Sequence, residues 1–129
     1  MRGPGKRKGF TLIELLIVVV IIGVLASIAI PKFANTKAKA RLAAIKSDLK
    51  NLATAQEAYL FDNGTYADVV GKLNFSGSQG VVLSISEATP GGWSGKSTHP
   101  LSFPLECALF IGTAAPLAPA VNEGVMYCQ

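Results

Sequence analysis

The apolar and polar positions divide the first half of the chain into two helical patterns. Residues 10–30 are apolar almost without interruption, and a single charged residue, Glu14, lies near the start of that run. A helix of this length rises about 32 Å, which matches the hydrocarbon thickness of a bilayer. The first pattern therefore predicts one membrane-spanning helix.

After Pro31 the uniform apolar run becomes an amphipathic pattern. Its apolar positions recur at spacings of three and four, as one helical stripe that needs a sheet or core to cover it. The stripe consists of Leu42, Ile45, Leu49, Leu52 and Tyr59, with Gln56 filling one position. Off the stripe we expect Asp48 and the cations Lys32, Lys37, Lys39, Arg41, Lys46 and Lys50.

The helix should end at Asp62-Asn63-Gly64, because glycine suits the left-handed position after a helix C-terminus. Four short strand candidates follow at residues 81–86, 93–97, 105–111 and 125–128, with a turn signal at residues 90–92. The predicted fold class is α+β: a long N-terminal helix packed on a small C-terminal antiparallel β-sheet.

Charge is distributed unevenly, although the formal net charge is +4. Four cations precede the apolar run, namely Arg2, Lys6, Arg7 and Lys8, whereas from residue 10 onward eight basic residues balance eight acidic ones. The basic excess therefore gives no indication of nucleic-acid binding. By the positive-inside rule it places the N-terminus in the cytoplasm.

The segment Lys8-Gly9-Phe10-Thr11-Leu12-Ile13-Glu14 resembles the class III signal of type IV pilins and pseudopilins, and the similarity extends over about residues 6–33. The resemblance implies the type IV pilin fold. It also implies that a prepilin peptidase cleaves after Gly9 and N-methylates Phe10. An ordinary secretory signal cleaved near Ser27-Ile28-Ala29 is the alternative, but the apolar run is long for such a signal and contains Glu14.

A carboxylate inside a membrane span costs roughly 3 kcal/mol, so Glu14 needs a partner. Cleavage after Gly9 creates an α-amino group on Phe10, four residues before Glu14. The two groups can pair within one helix or between subunits, and the resemblance favours the intersubunit assembly contact. The alternative is a carboxylate that snorkels to water.

The expected organisation has three parts. Residues 1–9 form a cleaved leader, residues 10–31 a transmembrane and filament-core helix, and residues 32–129 a periplasmic or extracellular headgroup. Pro31 removes a backbone hydrogen bond and predicts a kink or local unwinding of the helix.

Cys107 and Cys128 lie in the exported part, where an oxidising compartment favours one disulfide. It would close a loop of about 20 residues, worth roughly 3 kcal/mol in the chain-entropy model. The alternative is a pair of free buried thiols.

Catalytic and cofactor chemistry is not indicated. Residues 91–98 look like a phosphate-binding loop, but Pro90 stands where the motif needs glycine. His99 is the single histidine and has no clustered acids for a metal site or a triad. We therefore predict no metal, no cofactor and no enzyme.

The resemblance implies a structural subunit that polymerises into a type IV pilus serving adhesion, motility or DNA uptake. It would start as a single-pass precursor in the cytoplasmic membrane and end in an extracellular filament of identical copies. Its implied partners are the prepilin peptidase, the assembly platform, the assembly ATPase and, before assembly, membrane lipid. The alternative is a pseudopilin of a type II secretion or competence system, followed by a membrane-anchored enzyme or binding module.

Overall fold

The computed structural model describes residues 1, 3–102 and 105–129. Arg2, one of the predicted leader cations, lies outside the described residues. Helix α1 spans Leu12–Asn63, and a four-stranded sheet follows it. The chain divides into two compact units, residues 1–37 and residues 38–129, and the boundary between them falls inside α1.

Helix α1 matches the predicted long helix to within two residues at each end. Gly64 follows it with φ +72°, and the Gly64 N–H donates to the Leu60 carbonyl at 2.8 Å. This is the left-handed C-terminal cap that the sequence predicts. Pro31 lies inside α1, and the helix is continuous there, without local unwinding. The kink at Pro31 stays a prediction.

The sheet is antiparallel, with strand order β1-β2-β3-β4. Its strands are β1 (Val82–Thr89), β2 (Gly92–Thr98), β3 (Glu106–Gly112) and β4 (Tyr127–Cys128). The predicted strands are thus present in their predicted order, although β1 is longer than expected and β4 is shorter. Gly92 allows the close approach of β2 and β3, because a Cβ there would collide with the Ile111 carbonyl oxygen.

The headgroup core lies between the second half of α1 and the sheet. Ile45, Leu49 and Leu52 are fully buried, together with Trp93 of β2. Ser97 in β2 donates its hydroxyl to the Ile45 carbonyl at 2.8 Å, which links sheet and helix directly. The amphipathic stripe is therefore confirmed, and Trp93 belongs to the same buried core.

One residue of the helix lies on a different face from the one predicted. Asp48 was expected off the stripe among exposed cations, but it is buried at 4% exposure. Its carboxylate accepts the Ser78 N–H at 2.6 Å and the Ser78 hydroxyl at 3.0 Å. A buried carboxylate is tolerated when both oxygens are hydrogen-bonded. Asp48 thus fixes the loop before β1 instead of facing water.

Candidate processing and assembly site

The first turn of α1 is closed by a reciprocal pair of hydrogen bonds. The Thr11 N–H donates to Oε2 of Glu14 at 2.8 Å, and the Glu14 N–H donates to Oγ1 of Thr11 at 3.3 Å. This is a capping box, with threonine before the helix and glutamate at its third position. Glu14 therefore has a partner within its own chain before any cleavage, and the sequence analysis did not name it.

Gly9 and Phe10 precede this cap and lie outside regular secondary structure. Phe10 is 89% exposed, and a Cβ built on Gly9 meets no atom within 4 Å. The peptide bond between them is therefore open to a protease. Cleavage at this bond would leave Thr11 and Glu14 in the chain and add a free amine at the same end of the helix.

The apolar part of α1 exposes its side chains on every face. Its large hydrophobic residues retain about half or more of their accessible surface, from 49% at Val18 to 89% at Leu12. Among the described residues, α1 is the one helix long and apolar enough to cross a membrane by length and composition. A helix that is apolar all round is stable in lipid or when packed among other helices.

The end of the apolar run is suited to close packing. Gly23, Ala26, Ser27 and Ala29 are small residues of the kind that lets helices approach each other in lipid. The Ser27 hydroxyl donates to the Val24 carbonyl at 2.7 Å, so its polar group is satisfied inside the helix. This segment therefore needs no polar partner in an apolar environment.

Cys107 and Cys128 form a disulfide, as predicted. They lie opposite each other on β3 and β4. The neighbouring residues Glu106 and Gln129 exchange both backbone hydrogen bonds, at 2.8 and 3.0 Å. The cysteines consequently occupy a non-hydrogen-bonded pair, in which side chains approach each other most closely. The bond fastens the end of the chain to the central part of the sheet.

The region that resembles a phosphate-binding loop is mostly strand. Gly92–Thr98 forms β2, and Nζ of Lys96 pairs with Oε1 of Glu106 on β3 at 2.9 Å. Nδ1 of His99 accepts the Leu101 N–H at 3.1 Å. Within the described part of the chain, no group of three or more His, Cys, Asp or Glu side chains is arranged to hold a metal ion.

Two polar contacts near the end of α1 were missed by the sequence analysis. Gln56 is fully buried and bonds both the N–H and the carbonyl of Ala67, at 2.8 and 2.9 Å. The Tyr66 hydroxyl donates to Oε1 of Glu57 at 2.8 Å. Burial, reinforced by that hydrogen bond and the Glu57 charge, raises the pKa of Tyr66 to about 12. The glutamine within an otherwise apolar stripe was the available signal.

Residues 4–30 match the family described as the prokaryotic N-terminal methylation motif. The chain is 43% identical over 75 residues, 58% of its length, to the type IV major pilin protein PilA of Myxococcus xanthus. It is 44% identical over 87 residues, 64% of its length, to the type IV major fimbrial protein FimA of Dichelobacter nodosus. It is 44% identical over 66 residues, 51% of its length, to the type II secretion system core protein G of Escherichia coli.

The matched segments cover 34%, 54% and 46% of these three proteins. The chain therefore spans about half or less of the length of these relatives. The chain is thus similar, over these parts, to type IV pilins and to a type II secretion core protein, and it carries the N-terminal methylation motif. The fold matches the type IV pilin fold that the resemblance implied.

Proposed function

We propose that the protein is a structural subunit of a type IV pilus. The observation that carries the proposal is the uncovered apolar half of α1, which lies within the matched methylation motif, residues 4–30. The headgroup has a buried core of its own, whereas residues 12–30 have no cover within their compact unit. Lipid covers them before assembly, and the helices of other copies cover them afterwards.

In this proposal, a prepilin peptidase cleaves between Gly9 and Phe10 and N-methylates Phe10. The precursor is a single-pass protein of the cytoplasmic membrane, with its N-terminus in the cytoplasm. Cleavage removes Lys6, Arg7, Lys8 and Arg2, all of the cations that precede the span. The helix then keeps one positive charge at that end, the new α-amino group of Phe10, in place of four cationic side chains. This loss of charge favours its transfer from the membrane into a filament through the assembly platform and its ATPase.

Glu14 acquires its assembly role when the leader is cleaved. In the precursor, Oε2 of Glu14 accepts the Thr11 N–H. A carboxylate accepts several hydrogen bonds, so Glu14 can keep this one and also receive the new amine of Phe10. Pairing with the amine of a neighbouring copy offsets the cost of both charges in an apolar core, and it sets the axial register between copies.

A pseudopilin of a type II secretion system is the second candidate, because core protein G of such a system is among the relatives. Both candidates require the same cleavage and the same apolar helix. They differ in the product, which is a long surface filament for a pilus and a short periplasmic assembly for a pseudopilin.

The function is tested by expressing the full chain with a prepilin peptidase and a pilus assembly system, and examining the sheared surface fraction by electron microscopy. Wild type should give filaments that contain this chain. Gly9→Val should remain uncleaved and give none. A Cβ at position 9 meets no atom within 4 Å, so this loss would come from processing and not from misfolding.

Gly5→Val is the matched control, because position 5 is equally open and lies in the same leader. It should be cleaved and assembled like wild type. Equal cleavage of Gly9→Val and wild type on a gel would contradict the proposed processing site. Cleaved wild-type chain without surface filaments would favour the pseudopilin.

A further inference from the structure

The headgroup contains an apolar groove of about 740 Å³ between α1 and the sheet. Leu109 and Ile111 of β3 line it together with Met126, which lies just before β4. Ala53 of α1 lies on the opposite wall, next to two lysines of the same helix, Lys46 and Lys50. We call these six residues the head groove.

The two lysines form a cationic edge to this groove. Lys46 and Lys50 are exposed and are four residues apart on α1, so they lie on one face of the helix. Among the residues that the structure describes, neither makes a salt bridge. The head groove therefore offers an apolar floor and two positive charges, and it fits a partner that combines an apolar group with a negative charge.

A surface with those two properties is present at the end of α1. Phe61 is 90% exposed, compared with 63% for Phe33 of the same helix. The next residue, Asp62, is also exposed and makes no salt bridge within the described residues. An exposed phenylalanine beside a carboxylate without a salt bridge complements the apolar floor and the positive charges of the head groove.

Phe61 and the two lysines of the head groove lie on the same rigid helix and cannot meet within one copy. Phe61 follows Lys50 by eleven residues, which corresponds to about 16 Å of helix. We propose that Phe61 of one copy inserts into the head groove of a second copy, with Asp62 facing Lys46 and Lys50. This inference rests on the proposed function, because it needs copies that assemble side by side.

The proposed contact joins two different surfaces and is therefore heterologous. Each copy offers its own Phe61 to one neighbour and its own head groove to another. A heterologous contact that does not close into a ring continues as an open chain of copies, which is the geometry of a filament. The apolar insertion would supply affinity, and the charges would select the orientation and register.

Photocrosslinking in intact filaments tests this contact directly. Phe61 is replaced by benzoylphenylalanine, which keeps an aromatic side chain at the position, and filaments are irradiated before mass spectrometry. We expect crosslinked dimers whose junctions map to residues 46–53, 109–111 or 124–126 of a second copy. Junctions in other parts of the headgroup would overturn the proposal.

A charge exchange tests the same contact without the bulky probe. Asp62→Lys and Lys50→Glu should each lower filament yield about fivefold, and combining them should restore at least about half of it. Leu101→Ala, at a headgroup side chain that is 70% exposed, is the control and should leave the yield unchanged. Additive losses in the double variant would refute the pairing.

The proposed function and the head-groove contact are contradicted by different results. A wild-type chain that forms no filaments contradicts the proposed function itself. Wild-type filaments combined with a fully assembling Asp62→Lys variant contradict only the head-groove contact. In both cases, the amount of cleaved, disulfide-bonded chain in the membrane shows whether the variant has folded.

Discussion

Both halves of helix α1 are α-helical, but they differ in what covers their apolar side chains. Residues 38–63 bury a narrow stripe, including Ile45, Leu49 and Leu52, against the chain's own sheet. Residues 12–30 are apolar on every face and stay exposed. A stripe can be satisfied inside a small domain, whereas a fully apolar helix needs surroundings on all sides. The first half therefore needs lipid or other helices to cover its apolar side chains, whereas the second half is covered by the sheet of its own chain.

The largest effect on filament yield is expected at the single charge of the first half. Glu14→Ala should insert into the membrane at least as well as wild type, because it removes a charge that costs roughly 3 kcal/mol in a span. It should lower filament yield by more than about tenfold, equivalent to about 1.4 kcal/mol, because the pair with Phe10 is lost. Filament yield in the sheared fraction and membrane content measure the two effects.

Thr11→Val separates the capping role of Glu14 from its assembly role. It removes the hydroxyl that accepts the Glu14 N–H, which costs about 1 kcal/mol of helix stability, but it leaves the Glu14 carboxylate in place. We expect a clearly smaller loss of filaments than in Glu14→Ala, at equal cleavage. Equal losses in the two variants would mean that Glu14 acts only as a cap.

The same substitution should destabilise the headgroup strongly in the second half of α1 and hardly at all in the first half. Leu49→Ala removes a fully buried side chain and should lower the free energy of unfolding by about 2–5 kcal/mol. Leu16→Ala, at a position that is 62% exposed, should change it by less than about 0.5 kcal/mol. Denaturant unfolding in detergent measures both. A comparable loss in Leu16→Ala would show that the first half supports the headgroup fold.

A loss of stability similar to that of Leu49→Ala is expected when the disulfide is removed. Its cysteines are separated by 21 residues. Replacing Cys107 and Cys128 together with alanine should lower the free energy of unfolding by about 3 kcal/mol. Alanine is preferred to serine because Cys107 is fully buried and a hydroxyl there would need a partner. Reduction should destabilise wild type but not the variant. An unchanged melting temperature of reduced wild type would contradict this role.

A pH dependence that is confined to alkaline solution is expected at Tyr66. The pKa of its hydroxyl rises from 10.0 to about 12, first through burial and then through Glu57. A raised pKa stabilises the folded state fully below pH 10.0, and this contribution is lost as the pH rises towards about 12. Tyr66→Phe should lack this loss, and ultraviolet absorbance of tyrosinate should follow it in wild type. Titration of Tyr66 at its ordinary pKa would contradict the described packing.

Much of this architecture could be predicted because it depends on local patterns. The long apolar helix, the stripe through Leu49, the left-handed cap at Gly64 and the approximate positions of the strands follow from periodicity, turn signals or one glycine. The contacts that depend on distant loops could not be predicted. Asp48 accepts a hydrogen bond from the Ser78 N–H, thirty residues away, and Gln56 accepts one from the Ala67 N–H across a turn. Periodicity identifies a buried face, but it does not show which polar side chains on that face will find partners.

The candidate site likewise contains residues that the sequence predicted and contacts that it did not. Gly9, Phe10 and Glu14 were found because the motif has fixed spacing, and their roles in cleavage, methylation and assembly remain predictions. The capping box at Thr11 also had a sequence signature, threonine followed three residues later by glutamate. The head groove had none, because its walls come from α1, β3 and the segment before β4.

The central claim is that the apolar half of α1 is a retained segment that leaves lipid for a filament core. Mass spectrometry of the chain recovered from sheared surface filaments tests it most directly. The account predicts a mature N-terminus at N-methylated Phe10, with residues 10–30 present and residues 1–9 absent. A chain that still begins at Met1, or one that begins at Ile30 after loss of the apolar run, would contradict it.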